Sequence, residues 1–354
     1  MDLYLHIGVV KTGSSYLQYL MANYRNELQK KGIYFPVDNK YESKMINGEL
    51  TPGNAFELYK NIRDRNIEDA KKYLKMRILE ANNIGASKIL LSSEQISNVL
   101  NGERLSILDK IIYELDFTNY NIFVFLRDPV EHAISLYKHS NRTGKNNDYE
   151  NWLKENYNIY KYIYTIVNNT TYSYNLTLKK FTKDSDKIIK DYFNEWLVIN
   201  LSENIKNKRV NESITLSEMH FLQKLYASGN GTLAHLLSEN IFKLNKKNKY
   251  SDVKIHNNYE IVTRNIINTD KKINTYINKI NQYLDDNNKL ILNVNIDNNN
   301  NDIKRNGYYS EYQLHEISKH ITYIISPEGI LKYYSRKYRK YIPNILFKIY
   351  NIFN

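Results

Sequence analysis

The sequence predicts an α/β fold: a doubly wound, mostly parallel β-sheet with additional helices in the carboxyl-terminal part. Short, continuously apolar runs such as NIFVFL at 121–126 alternate with amphipathic segments long enough to form helices. Strands of this kind are typical of parallel sheets, which are buried on both faces. The chain has 354 residues, of which 42% are hydrophobic, so it can form a large core.

Each expected strand is an apolar run that ends in a turn, and each expected helix carries apolar residues three and four positions apart. The strands are predicted at 2–7, 33–36, 87–93, 121–126 and 176–181. The first helix is expected to end at Gly32, because glycine is a common helix terminator. The helices are predicted at 15–31, 70–83, 130–142, 185–197, 217–226, 232–244 and 309–325.

We divide the chain into a core at 1–225 and a helical extension at 226–354 that packs on it. The extension contains a low-complexity loop, IDNNNND at 296–302, and ends in a basic, apolar tail at 331–354. Two interpretations of the tail stay open. It is either a surface helix that contacts an anionic membrane, or a final helix packed on the core with its basic face in solvent, which we favour.

The formal charge of +12 indicates an anionic partner, and the absence of cysteine excludes disulfides, thiolate metal sites and cysteine nucleophiles. The chain is rich in lysine, asparagine, isoleucine and tyrosine, so we attribute part of the basicity to an AT-rich coding genome. It has no basic and aromatic recognition motif, and nucleic acid is not expected as a partner. Without a signal peptide or a long apolar run, the expected location is cytoplasmic, with the inner membrane face as the alternative that the tail leaves open.

The segment GVVKTGSS follows the first expected strand, where the amide groups of a helix N-terminus can bind an anion. Gly8 and Gly13 have the spacing of the Walker pattern G-x-x-x-x-G-K-[ST], and Ser15 holds its hydroxyl position. Ser14, however, replaces the Walker lysine, and the lysine is Lys11. The segment therefore predicts a P-loop-like site but disfavours an ordinary ATPase. The alternative is a tight turn followed by a helix that Ser14 caps.

A second segment, FVFLRDPVEHAISLYKH, places an arginine at the end of a strong strand and a serine in the following helix. Arg127 can bind a phosphate through its guanidinium fork, and Ser135 can donate a hydrogen bond to the same group. The alternative for Arg127 is an ion pair with Asp128 or Glu131 at the start of the helix.

Together the two segments resemble the sulfotransferases that use 3'-phosphoadenosine 5'-phosphosulfate (PAPS). Members of that family carry a K-x-G-[ST]-[ST] loop that binds the 5'-phosphosulfate, and an L-R-D-P-x-x-x-A-x-S segment whose arginine and serine bind the 3'-phosphate. The resemblance covers about residues 1 to 225, and HIGVVKTGSSYLQ and RVNESITLSEMHFL are similar to the bacterial branch. It implies that the co-substrate is bound by Lys11, Thr12, Gly13, Ser14, Ser15, Arg127 and Ser135.

The chemistry of sulfuryl transfer gives a reason for the position of Lys11. The reaction should pass through a loose, in-line transition state, in which negative charge grows on the oxygen that bridges sulfur and the 5'-phosphate. Lys11 can neutralise that oxygen while Gly13, Ser14 and Ser15 hold the phosphate. PAPS requires no metal ion between its phosphates, and no group of residues has metal-ligand spacing, so no metal site is expected.

Glu94 follows the third expected strand at the same edge of the sheet, and we predict that it is the catalytic base. Cytosolic members of the family use a histidine near the end of this strand, and carbohydrate-directed members use a glutamate elsewhere. Alternatively, Glu94 caps the next helix or orients Lys11. His6 is the rival base, although a core histidine is the expected role there; His132 and His139 are assigned to a helix face.

The expected function is transfer of a sulfuryl group from PAPS to a hydroxyl, with a glycan or glycoconjugate as acceptor by analogy with bacterial relatives. The alternatives are a P-loop kinase or other nucleotide phosphotransferase, and a non-catalytic nucleotide-binding or membrane-surface adaptor. The acceptor is expected to be recognised by loops at 37–60 and 140–175.

Overall fold

The computed structural model describes residues 1–98, 100, 102–145, 148–169, 174–201, 214–244 and 253–290, together with 318, 319, 321–323 and 326. A five-stranded parallel sheet with strand order β2-β3-β1-β4-β5 organises the first half of the chain. The strands are β1 (Asp2–Ile7), β2 (Ile33–Tyr34), β3 (Lys88–Ser93), β4 (Asn119–Leu126) and β5 (Asn175–Lys180). β2 and β3 lie on one side of β1, with β3 inserted between β2 and β1, and β4 and β5 follow on the other side; all five carboxyl ends meet at one edge. The predicted α/β fold with a parallel sheet is confirmed.

Helices connect the strands and make up most of the described chain beyond β5. They are α1 (Ser14–Asn23), α2 (Arg25–Lys30), α3 (Asn39–Ile46), α4 (Phe56–Arg63), α5 (Ile67–Asn83), α6 (Gly102–Glu114), α7 (Pro129–Ser140), α8 (Tyr149–Asn156), α9 (Ile159–Val167), α10 (Ser185–Ile189), α11 (Leu216–Ala227), α12 (Gly231–Leu244), α13 (Val253–Thr269) and α14 (Lys271–Asn281). A π-helical segment, Lys190–Trp196, continues α10. No helix in these described ranges is long and apolar enough to cross a membrane.

Several predicted elements differ from the structure in detail. The first helix is interrupted at Tyr24, whose φ of −98° and ψ of 16° are not helical, so α1 and α2 are separate. β2 pairs over two residues, because Pro36 has no N–H for a ladder hydrogen bond. The predicted acceptor loops at 37–60 and 140–175 are wrong as loops, since α3, α4, α8 and α9 occupy much of them.

Two helices, α13 and α14, were not predicted from the sequence, because their many asparagines have low helix propensity. Tertiary packing and capping supply the missing stability: the Asp270 carboxylate accepts hydrogen bonds from the amides of Lys272 and Ile273 at the start of α14. The low-complexity loop at 296–302, the tail at 331–354 and most of the helix predicted at 309–325 lie outside the described residues.

The chain divides into two compact units, each built from discontinuous segments. The first comprises Met1–Leu136, Glu150–Asn211 and Tyr259–Asp297, and the second comprises Tyr137–Tyr149, Glu212–Asn258 and Asn298–Asn354. The whole sheet belongs to the first unit. The boundary at residue 225 stays a prediction.

An aromatic cluster packs against the central strand β1 and its neighbour β4. Phe123 on β4 lies 5.0 Å from the ring of Tyr192, and Tyr4 on β1 lies 5.2 Å from the ring of Trp196. Such pairs each contribute about 0.5–1.5 kcal/mol beyond their buried area. Because β1 and β4 are paired in register, the turns that follow them meet at the same edge of the sheet.

Candidate functional site

The turn after β1 adopts an unusual backbone conformation. Lys11 has a φ of 70° and Gly13 a φ of 80°, both in the left-handed region. Thr12 closes the turn, since its amide and hydroxyl donate to the Val9 carbonyl at 3.2 and 2.6 Å. The left-handed region costs a residue with a side chain about 1–2 kcal/mol, so surrounding contacts must hold Lys11 in it.

Both glycines of this turn are required by the close approach of other groups. A Cβ atom at Gly8 would lie 2.4 Å from Ser14 Oγ and 3.0 Å from Glu94 Cγ. A Cβ atom at Gly13 would lie 2.6 Å from Cε2 of Phe181. Phe181, which follows β5, therefore covers the turn, a role that no sequence motif indicated.

The two serines of the segment begin α1. Gly13 is the N-cap residue and no side chain caps the helix, so the alternative in which Ser14 is the cap is wrong. The Ser14 hydroxyl is buried and has no hydrogen-bond partner of ordinary geometry among the described residues. Ser15 is half-buried. A buried hydroxyl without such a partner can bind a ligand or a water molecule.

Glu94 lies beside the turn, directly after β3. The Gly8 amide donates to the Ser93 carbonyl at 3.1 Å, which aligns the two strand ends. Burial raises the pKa of the Glu94 carboxyl, while the nearby charge of Lys11 and hydroxyl of Ser14 lower it. The structure thus brings Glu94, Lys11 and Ser14 together at the end of β3.

Glu94 does not cap the turn that follows it, because that function falls to Ser93. The Ser93 hydroxyl accepts a hydrogen bond from the Gln95 amide at 3.2 Å, and the Ser97 hydroxyl donates to the Glu94 carbonyl at 2.9 Å. The Glu94 side chain is therefore engaged with the β1–α1 turn rather than with helix capping.

His6, the rival base, is a core residue. Its side chain is fully buried, its Nδ1 lies 2.9 Å from Ser92 Oγ, and its ring packs 5.5 Å from that of Tyr192. Burial lowers the pKa of His6 to about 3, so the imidazole is neutral near pH 7. Of the two candidate bases, the geometry favours Glu94.

Arg127 joins the second motif to the first. Its Nη1 donates to the carbonyl oxygen of Lys11 at 3.4 Å, while Nε and Nη2 donate to Glu131 Oε2 at 3.2 and 3.0 Å. Asp128 instead caps α7, where its carboxylate accepts from the amides of Val130 and Glu131. The ion pair considered for Arg127 is therefore present, and its partner is Glu131.

Ser135 lies one turn beyond Glu131 on α7 and is buried. Among the described residues, no hydrogen bond joins its hydroxyl to the Arg127 guanidinium. The structure therefore joins Arg127 to Lys11, which also lies near Glu94, but shows no hydrogen bond between Arg127 and Ser135.

His132 has contacts that its expected place on a helix face did not indicate. The ring is buried, with Nε2 at 2.8 Å from the Val10 carbonyl oxygen and Nδ1 at 3.1 Å from the Tyr157 hydroxyl. Burial lowers the pKa of His132 to about 4. The sequence did contain a signal for these contacts: His132 lies one turn into the helix that follows Arg127. The start of that helix lies at the same edge of the sheet as the β1–α1 turn.

A basic cavity opens beside Glu131 at the carboxyl end of β5. Its volume is about 360 Å³. It is lined by Glu131, Lys180, Phe181, Thr182, Lys183, Lys187 and Asn288. Three lysines against one glutamate give this side of the site a positive potential, which favours an anionic ligand.

In the part of the chain that the structure describes, no group of three or more His, Asp or Glu side chains is arranged to hold a metal ion. Comparisons of the chain with models of protein families, with curated proteins and with solved structures found no match. The function is therefore inferred from the site itself.

Proposed function

We propose that this chain is a PAPS-dependent sulfotransferase on a P-loop-like sheet, which transfers the sulfuryl group to a hydroxyl of a glycan or glycoconjugate. The observation that carries the proposal is the junction of the two motifs, where the Arg127 guanidinium reaches the Lys11 carbonyl at 3.4 Å. An anionic ligand with one phosphate at each motif would fit this arrangement.

The position of the junction in the sheet supports the proposal. In parallel α/β sheets, ligands bind outside the carboxyl ends of the strands, where the strand order changes direction. β1 is that point here, and the turns after β1 and β4 flank it. Left-handed residues in such a turn are typical of backbone concavities that bind anions.

The residues of the β1–α1 turn fit the 5'-phosphosulfate end of the co-substrate. The amides at the start of α1 can donate to phosphate oxygens, and the buried Ser14 hydroxyl supplies a further donor. Lys11 carries the positive charge that stabilises the leaving oxygen as its bond to sulfur breaks.

Glu94 acts on the opposite side of the transferred group. It accepts the proton of the acceptor hydroxyl while the hydroxyl oxygen forms its new bond to sulfur. Burial raises its pKa and so makes it a stronger base than an ordinary carboxylate, while the charge of Lys11 favours the ionised form.

Arg127 and the basic cavity fit the other end of the co-substrate. To bind a 3'-phosphate, the guanidinium exchanges Glu131 for the phosphate oxygens, and Lys180, Lys183 and Lys187 add positive charge nearby. These residues would select a 3'-phosphate and so discriminate against ATP. Ser14 in place of the Walker lysine disfavours the alternative of a kinase or other nucleotide phosphotransferase.

The deciding experiment is a thermal-shift titration with 3'-phosphoadenosine 5'-phosphate and, separately, ATP, each with and without magnesium. We expect stabilisation by the bisphosphate that does not depend on magnesium, followed by its release from PAPS in the presence of a hydroxyl acceptor. Stabilisation by magnesium–ATP alone would refute the proposal. Binding of the bisphosphate without turnover on any glycan tested would leave the adaptor as the better description.

Two further proposals, the acceptor class and the membrane contact of the tail, have no support from the described residues. A panel of glycans with free hydroxyls tests the first. Sedimentation of the full chain with anionic and with neutral vesicles tests the second, and equal recovery in both supernatants would exclude a membrane-binding tail.

A further inference from the structure

The conformation of Lys11 is held from both sides. Its φ of 70° describes a rotation between two peptide planes, one with the Val10 carbonyl and one with the Lys11 carbonyl. Each of these carbonyl oxygens accepts a hydrogen bond from a side chain of the second motif, the first from His132 at 2.8 Å and the second from Arg127 at 3.4 Å.

The hydrogen bonds of His132 define its protonation state. A carbonyl oxygen only accepts, so Nε2 must carry the proton that it donates to Val10. In the neutral ring, Nδ1 is then unprotonated; the Tyr157 hydroxyl lies 3.1 Å from it and 2.9 Å from the Pro129 carbonyl, and its single proton can be donated to only one of the two. Burial keeps the ring in this neutral form near pH 7, since it lowers the pKa of His132 to about 4.

Fixing the Val10 carbonyl has a geometric consequence for the anion site. In a trans peptide the N–H points opposite to the C=O. A carbonyl held against His132 therefore turns the Lys11 amide to the other side of the turn, away from α7. The same hydrogen bond from His132 fixes the direction in which the Lys11 side chain leaves the backbone.

We propose that His132 is a positioning residue that holds Lys11 in its left-handed conformation and so aims its ammonium group. Arg127 shares this function through the Lys11 carbonyl, whereas His132 is the side chain that keeps the Val10 carbonyl in place. The inference deepens the proposed function and rests on it for the role of the ammonium group. The hydrogen bond from His132 to the Val10 carbonyl, which holds the backbone, does not depend on that function.

A double-mutant cycle tests, without any ligand, whether His132 holds Lys11 in its left-handed conformation. Glycine adopts a positive φ without strain, so Lys11→Gly releases strain only while the turn is held. We expect the change in melting temperature on Lys11→Gly to be about 2 °C more positive in the wild-type chain than in the His132→Asn variant, where the turn can relax. His6→Asn is the matched control, because His6 is another buried neutral histidine, with its ring nitrogen at Ser92.

If Lys11→Gly changes the melting temperature equally in the wild-type, His132→Asn and His6→Asn chains, the proposal is overturned. A His132 that only supports the fold would show no coupling to Lys11, so the effects of the two substitutions would add. Coupling to His132 but not to His6 is the expected result. This measurement requires neither PAPS nor turnover, so its outcome is separate from that of the proposed function.

A second comparison tests whether His132 positions the ammonium group of Lys11. A glutamine side chain places an N–H close to the position of the histidine Nε2, and asparagine does not reach it. We expect His132→Gln to retain turnover within about threefold of wild type and His132→Asn to lose at least tenfold in kcat, with a smaller change in KM for PAPS. Equal turnover of the two folded variants would overturn the positioning role. If the wild-type chain shows no turnover, the proposed function fails while the melting experiment still decides the hold.

Discussion

The Arg127 guanidinium donates through Nη1 to the backbone carbonyl of Lys11 across 3.4 Å and through its other two nitrogens to Glu131. One side chain thus connects the two sequence motifs, which lie 116 positions apart. A ligand phosphate at Arg127 competes with a carboxylate of the protein itself, and several measurable effects follow.

Removing the competing charge should strengthen binding at Arg127. The Arg127–Glu131 pair is partly exposed, with side chains 15% and 49% accessible, and such pairs contribute up to about 1 kcal/mol. We expect Glu131→Gln to tighten binding of 3'-phosphoadenosine 5'-phosphate by up to about fivefold, as measured by isothermal titration calorimetry. Glu57→Gln is the control, because Glu57 forms a comparable exposed pair with Lys60 on α4. Weaker binding by Glu131→Gln would show that Glu131 supports the ligand.

Lys11 and Arg127 should separate catalysis from binding. We expect Lys11→Ala to abolish transfer and to weaken bisphosphate binding only a few-fold, because its charge is needed mainly by the leaving oxygen. Arg127→Ala should weaken binding at least tenfold, since a charge-assisted hydrogen bond to phosphate is lost. Near-normal turnover of Lys11→Ala, measured as release of the bisphosphate, would refute the assigned role.

The turn should tolerate no side chain at residue 13. Gly13→Ala combines a positive φ with a Cβ atom 2.6 Å from Phe181, and we expect it to destabilise the protein by more than about 2 kcal/mol in urea unfolding. Gly85→Ala isolates the backbone term, because Gly85 has a φ of 70° and no heavy atom within 4 Å of its Cβ position. It should cost about 1 kcal/mol. Equal losses would show that Phe181 moves away without cost.

Glu94 should reduce stability while it supports activity. Burial raises the pKa of its carboxyl in the folded state, so the unfolded chain ionises first and stability falls as pH rises through the interval between the two pKa values. Glu94→Gln lacks this penalty. We expect it to melt higher than wild type at pH 8 and to lose that advantage at pH 4, while transfer is abolished at every pH. A variant that retains turnover would exclude Glu94 as the base.

A second buried carboxyl lies on α6. Asp109 accepts a hydrogen bond from Asn169 at 2.9 Å, and burial raises its pKa to about 7. Ionisation therefore destabilises the fold progressively from about pH 4 to pH 7. We expect Asp109→Asn to stabilise the protein above pH 7 by up to about 4 kcal/mol in urea titrations, with little effect at pH 4. In Asp64→Asn, the control, no such gain is expected, because Arg63 lowers the pKa of Asp64.

The parts of the fold that the sequence predicts best are those with the simplest physical signal. β1, β3 and β4 are continuously apolar because both faces are buried, and their positions agree closely with expectation. α11 begins at a capping box of Thr215 and Glu218, which is a local pattern. α13 and α14 were missed because their stability comes from packing rather than from their asparagine-rich composition.

The candidate site likewise contains residues that the sequence predicts and residues that it does not. Motif spacing identified Lys11, Gly13 and Arg127, since the order of strands brings their turns together. The partners of these residues could not be predicted, because they depend on tertiary contacts: Phe181 follows β5, and His132 contacts the first motif from the helix after β4.

The division into two units has a spectroscopic consequence. The chain contains two tryptophans, Trp152 and Trp196, and both belong to the first unit. Their intrinsic fluorescence therefore follows the unfolding of the unit that holds the sheet and the candidate site, whereas circular dichroism follows the helices of both. A difference between the two curves would measure directly how independently the second unit unfolds.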